Sequence, residues 1–185
     1  MAQRVCPWWL GYFLISPIRR LSQNAHKILA PYVREGQRVL EPGPGMGFFT
    51  LDLAQLVGAS GRVVAVDLQP KMLASLKRRA AKAGVLERID ARLASADSLG
   101  LSDLAGSIDF TLAFAMVHEI PDAAHFFLEV AAASKAGATV LLAEPKGHVK
   151  EAAFDAELQA ASQAGFEVAD RPAIGRSYAA VLKKR

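Results

Sequence analysis

Acidic and small residues recur along this chain at positions where they could hold a ligand that carries both positive charge and hydroxyl groups. Glu41 stands directly before a turn containing Gly43, Gly45 and Gly47, and Asp67 and Asp97 follow two later apolar runs. Met116, His118 and Glu119 follow a fourth run, and Glu144 and His148 a fifth. In an open parallel sheet, ligands bind outside the carboxyl ends of the strands near the switch point. The residues that end each run therefore form one candidate set, with carboxylates converging on one rim.

The glycine turn narrows the choice of ligand. A dinucleotide fingerprint is G-x-G-x-x-G, in which the third glycine lets helix and strand close around a pyrophosphate. Here the third glycine, Gly47, comes one residue too early, and Glu41 would oppose the anion that a helix N-terminus attracts. S-adenosylmethionine has no phosphate and carries a sulfonium and an ammonium balanced by one carboxylate. Glu41 can favour its cationic end, and the glycine backbone leaves room for its methionyl part. Asp67, about twenty residues past the glycines, is spaced for hydrogen bonds to ribose hydroxyls.

The elements that must position these residues alternate between strand and helix. "QRVLEP" (37–42) and "GRVVAVD" read as buried strands around a helical "FFTLDLAQLV". "PKMLASLKRRAAKAG" opens on Pro70 and closes on Gly84, the expected asymmetry of a helix. "RIDARLAS", "SIDFTLAF" and "ATVLLAEP" give three more strands, with "DAAHFFLEVAAASK" a helix before the last of them. A polar helix near 150–164 leads to "FEVADRPAI" and "SYAAVLKK", joined through Gly175 by a link too short for a crossover. The expected fold is α/β, a doubly wound and mostly parallel seven-stranded sheet with a C-terminal antiparallel hairpin. "DSLGLSDLAGS" is the only long polar loop.

With these motifs in place the chain resembles the class I S-adenosylmethionine-dependent methyltransferases, from about Asn24 to Arg185. "VLEPGPGMG" is similar to the family's first motif and "VVAVDLQPKML" to its second, which implies that Asp67 and Leu68 lie against the cofactor. "ASADSL" resembles the adenine-binding motif, implying contacts from Asp97 and Ser98. "DFTLAFAMVHEIPD" resembles the fourth-strand motif, whose residues after the strand, here Met116 and His118, meet cofactor and substrate. The nearest likeness is to small single-domain enzymes acting on small molecules. The resemblance implies S-adenosyl-L-methionine as cofactor and direct in-line methyl transfer.

Each residue also has a plainer role. The glycines could simply make a tight turn, Asp67 could cap the helix that starts at Pro70, and Asp97 could serve a turn. His118 and His148 could be structural, and His26 and His125 surface residues on helices. As chemistry, His118 is the first candidate general base, Glu119 the second and His148 the third, because an unperturbed imidazole accepts a proton near neutrality. No metal is expected. The run after the fourth strand lacks the N-P-P-Y-like pattern of base amino-group methylation, and the lone Cys6 cannot supply a carbon-5 nucleophile or a soft-metalloid site. A small organic acceptor remains. The alternatives are a cofactor-binding module without catalysis, or a nicotinamide-dependent oxidoreductase. The oxidoreductase would want a tyrosine with a lysine four residues on, and Tyr12, Tyr32 and Tyr178 are followed at that offset by Ser16, Gly36 and Leu182.

Composition sets the outer limits. A length of 185 residues with 52% hydrophobic content suits a globular protein with a substantial core. The single cysteine points to a reducing compartment, hence the cytoplasm. A net charge of +4 with no recognisable module argues against nucleic acid. Residues 1–23 form an aromatic arm, "VCPWWLGYFLI" leading into Arg19 and Arg20, and residues 24–185 the cofactor-binding domain. Its apolar run, Val5 to Ile15, is shorter than the about 20 residues that span a bilayer and lacks a signal cleavage site. The arm is read as a lid over the site, with a membrane surface as the rival contact. Monomer and dimer are both open.

Overall fold

The computed structural model describes residues 23–185. The aromatic arm, with Cys6, Trp8, Trp9, Arg19 and Arg20, lies outside the described residues, as does the choice between lid and membrane contact. Seven strands make a sheet of order β3-β2-β1-β4-β5-β7-β6. Pairs β1–β2, β2–β3 and β4–β5 are parallel, and β7 runs antiparallel to both β5 and β6. The expected α/β fold with a reversed C-terminal hairpin is therefore present. From residue 24 onward the chain divides into two compact units, with the boundary between Asp97 and Ser98.

The first unit carries α1 (Ala25–Leu29), β1 (Arg38–Pro42), α2 (Thr50–Leu56), β2 (Arg62–Asp67), α3 (Pro70–Lys82) and β3 (Ile89–Leu93). After an exposed first residue, β1 and β2 are buried to their ends, as strands covered on both faces must be. Helix α3 begins with Pro70 in its first turn and buries Met72, Leu73, Leu76 and Ala80, the 3.6-residue stripe. The Arg79 guanidinium donates to the Met46 carbonyl, tying this helix to the glycine turn. Val39, Leu40, Leu53, Val63 and Leu76 form the centre of this unit's core.

The second unit carries β4 (Ile108–Phe114), α4 (Ala123–Ala133), β5 (Ser134–Pro145), α5 (Glu151–Gln163), β6 (Phe166–Asp170) and β7 (Ser177–Lys184). Strand β5 starts four residues earlier than "ATVLLAEP" suggests: Ser134 pairs with Ile108, the ladder breaks, and it resumes at Phe110 and Thr139. Lys184 Nζ donates to the carbonyls of Ala131 and Ser134, satisfying backbone groups where α4 runs straight into that strand. The long polar loop holds a single 3-10 turn, Ser102–Leu104, anchored by the buried Leu101 and Leu104. Phe127 and Phe166 meet edge to face, ring centres 6.4 Å apart. No helix among the described residues is long and apolar enough to cross a membrane.

Candidate active site

The first unit builds a glycine turn braced by an acid. Gly43, Gly45 and Gly47 all have positive φ. Gly43 N–H donates to the Val66 carbonyl, and Gly45 N–H to Asp67 Oδ2 at 3.1 Å. Asp67 Oδ1 accepts from Gln69 N–H at 2.8 Å, so the acid also shapes the entry to α3. Two of the glycines differ in what requires them. A Cβ on Gly47 would come within 3.2 Å of Leu76 Cγ, whereas a Cβ on Gly45 would meet nothing within 4 Å. The backbone at Gly45 therefore faces open space, as a close-lying ligand needs.

Glu41 sits beneath this turn at 3% exposure. Burial raises its pKa from 4.5 to about 8, and the Asp67 charge adds to the rise while Thr50 opposes it. Its Oε2 has no hydrogen-bond partner among the described residues. The sequence suggests a standing negative charge at Glu41, and burial corrects this: the raised pKa favours the neutral carboxyl near pH 7, and a nearby cation would favour the ionised form. A buried, half-satisfied carboxyl next to open glycine backbone fits a cationic ligand such as S-adenosylmethionine. Beyond β2, Leu68 is an exposed large apolar residue, and Asp97 is exposed in the loop after β3.

The second unit builds an acid–imidazole pair. Glu144, near the end of β5, is fully buried. Its Oε1 accepts from the backbone N–H groups of Met116 (3.2 Å), Val117 (2.8 Å) and His118 (3.4 Å). Its Oε2 lies 2.5 Å from His118 Nδ1. The bend that aims these amides follows Ala115, the only non-glycine among the described residues with positive φ (56°). Such backbone strain persists where the surroundings over-determine it. The hydrogen bond to Glu144 holds the His118 ring above its usual pKa, burial draws it partly back, and the charges of Glu144, Glu119 and Glu157 add to the rise. With Nδ1–H committed to the carboxylate, the hydrogen-bond network assigns the ring's lone pair to Nε2.

Two other expected residues, Glu119 and His148, lie beside His118. Glu119 shares the 3-10 turn Val117–Glu119 with His118 and is half-buried. His148 is exposed in the loop after β5, its ring centre 6.3 Å from that of His118. Ser98 Oγ donates to Glu129 Oε1 at 2.6 Å, and Glu129 also accepts from Leu99 N–H. Glu144 is visible in the sequence only as a strand-end acid, and nothing local marks it as the partner of His118. Glu157 was missed altogether. Its signal was available, since it falls on the α5 stripe of Phe154, Leu158 and Ala161, where a carboxylate is out of place.

A methyltransferase-domain profile matches residues 39–137, and the chain belongs to that family. It is 34% identical over 71 residues to the ubiquinone/menaquinone biosynthesis C-methyltransferase of Cronobacter sakazakii, covering 38% of this chain and 28% of that protein. It is 35% identical over 100 residues to ribosomal RNA small subunit methyltransferase A of Magnetococcus marinus, covering 50% and 35%. The chain spans about a third of the length of the curated relatives it matches. Among solved structures it superimposes on a SAM dependent methyltransferase from Aquifex aeolicus with a TM-score of 0.85 and 21% identity, covering 97% of this chain and 98% of that one. The fold is thus that of the class I S-adenosylmethionine-dependent methyltransferases, and S-adenosylmethionine is the cofactor the family implies.

Proposed function

We propose that this protein transfers a methyl group from S-adenosylmethionine to a small organic molecule whose accepting atom loses a proton in the reaction. The observation that carries the reading is the 2.5 Å contact between His118 Nδ1 and the buried Glu144, which makes His118 Nε2 a base of fixed tautomer. The cofactor supplies a methyl on a positively charged sulfur. Glu41, Gly45 and Asp67 hold it in this reading: Glu41 ionises toward the cationic end, the open face of Gly45 lets the methionyl part lie close, and Asp67 accepts from ribose hydroxyls. Leu68, Asp97, Ser98 and Met116 complete its surroundings. His118 Nε2 takes the acceptor's proton, and Glu144 stabilises the imidazolium that results. Glu119 and His148 stand as the second and third candidates for that step.

Methyl transfer of this kind needs in-line geometry, and positioning supplies about 7–11 kcal/mol of barrier lowering in favourable cases. A general base adds about 10²- to 10⁴-fold.

The test is incubation of the protein with methyl-labelled cofactor and a metabolite extract. Label in a small product is expected, retained after nuclease and protease treatment of the extract. Label only in RNA would favour an acceptor like that named for the Magnetococcus marinus relative. Binding of the cofactor with no labelled product would favour the non-catalytic module.

A further inference from the structure

We propose that Glu157 is a third member of the His118–Glu144 pair, a positioning residue that acts on His118 through its charge and does not touch the acceptor. That His118 serves as a base rests on the function proposed above, but the electrostatic coupling does not. Glu157 lies on the buried face of α5, one turn beyond Phe154, at 7% exposure. The Phe154 ring stacks on Tyr178 at 5.6 Å and 24°, and Tyr178 pairs with Glu144 across the β5–β7 ladder. One helical face thus brings both Phe154 and Glu157 toward the strand pair that carries Glu144. Glu157 Oε2 has no hydrogen-bond partner, and no ion pair offsets its carboxyl among the described residues.

A carboxyl buried this way is costly unless its protonation state is used or controlled. Burial first, and the Glu144 charge second, raise the Glu157 pKa to about 8, with His118 opposing. While it holds its proton Glu157 is neutral and adds nothing to the field at His118, and a protonated His118 in turn favours the ionised carboxylate. Once ionised, Glu157 adds a second negative charge that strengthens the hold of His118 on its proton. The two groups are therefore coupled, and their apparent titrations belong to the cluster rather than to either residue.

Other charged groups around the cluster do not remove this coupling. Glu119 adds to the rise at His118, and His148 is exposed beside it. Lys146 Nζ lies 5.0 Å from the centre of the Tyr178 ring. Of the elements packed on α5, helix α4 brings His125 and Glu129, 3.8 Å apart, with Glu129 also accepting from Ser98. Strand β6 brings Glu167 and Asp170, both exposed.

The test is an NMR titration of the His118 ring, assigned by its loss in His118→Asn, in the protein without cofactor or substrate. In Glu157→Gln the His118 midpoint is expected to move down and the transition to narrow, while Glu157→Asp keeps the original curve. An unchanged His118 curve in a folded Glu157→Gln protein overturns the proposal. Should that variant fail to fold, the Glu157 side-chain carboxyl is followed by carbon NMR in the unaltered protein. A midpoint near 8 with a matching inflection at His118 supports the coupling, and a midpoint in the ordinary carboxyl range overturns it. No turnover enters either measurement, so a protein that proved unable to transfer methyl groups would leave the result standing.

Discussion

Asp67 at the end of β2 and Glu144 near the end of β5 do the same mechanical work in two different units. Each is a strand-end acid that accepts backbone N–H groups from the loop following its parallel neighbour: Asp67 from Gly45 after β1, and Glu144 from residues 116–118 after β4. Their second oxygens differ. Asp67 Oδ1 accepts from the backbone N–H of Gln69, whereas Glu144 Oε2 accepts from the imidazole Nδ1–H of His118. One acid braces a turn made of backbone, and the other braces a turn and a titratable ring. In the function proposed above, the same device would serve binding in one unit and proton handling in the other, and the two are expected to separate when each acid is changed.

The largest effect is expected at Glu144. In Glu144→Gln the side chain keeps its shape but loses the charge that stabilises a protonated His118. Removing the support of a general base should lower kcat by about 10²- to 10⁴-fold, while cofactor affinity stays within about twofold of the starting value by the additivity of separate sites. Calorimetric titration with the demethylated cofactor, alongside steady-state kinetics, checks both numbers. A variant that lost affinity and kept kcat would reverse the roles assigned to the two acids.

Asp67→Ala should show the opposite pattern at a smaller size. Hydrogen bonds to a charged group contribute about 1.5–3 kcal/mol each, so loss of the ribose contact weakens the cofactor by more than about tenfold. Loss of the Gly45 brace adds to this, and kcat at saturating cofactor changes little. Gly45→Val sharpens the comparison on the same loop. Its Cβ meets no protein atom but is placed at φ +55°, in the space assigned to the ligand. The strain of left-handed backbone costs about 1–2 kcal/mol, which a folded protein of this size can bear. Binding is expected to fall with the far-ultraviolet dichroism intact, and normal binding would leave the glycines with only a turn to make.

How much of this was legible in the sequence follows the range of the interactions involved. Strand β7 matches its apolar run residue for residue, and α3 is framed by Pro70 and Gly84, because local pattern and local backbone geometry decide both. The start of β5 was not legible. Lys135 and Gly137 break its pattern, and the pairing of Ser134 with Ile108 is a long-range event. The meeting of His118 with Glu144 was equally hidden. It joins residues 26 apart through the β4–β5 register and a left-handed Ala115, for which alanine gives no sign. Protonation lay further out of reach, since Glu41 reads as a charge until its burial is known.

The last expected effect concerns that burial. Glu41 titrates near 4.5 when unfolded and at about 8 when folded without a cation. Below pH 4.5 both states hold the proton and the group is neutral to stability. Between 4.5 and 8 the unfolded chain releases the proton and the folded chain keeps it, so stability falls as pH rises, by at most about 1.4 kcal/mol per pH unit. Above 8 the loss levels off. Glu41→Gln should flatten this part of the profile in denaturant titrations of the cofactor-free protein between pH 5 and 8. The cofactor should act in the same direction by another route, because a cation beside Glu41 favours the ionised form and drives a proton out. Binding at pH 7 is then accompanied by release of up to one proton, read as a dependence of the calorimetric enthalpy on the ionisation enthalpy of the buffer. Asp67→Ala should keep that release and Glu41→Gln should lose it. Equal enthalpies in all buffers for the unaltered protein would mean that the cationic end of the ligand lies elsewhere, and that Glu41 is buried for packing alone.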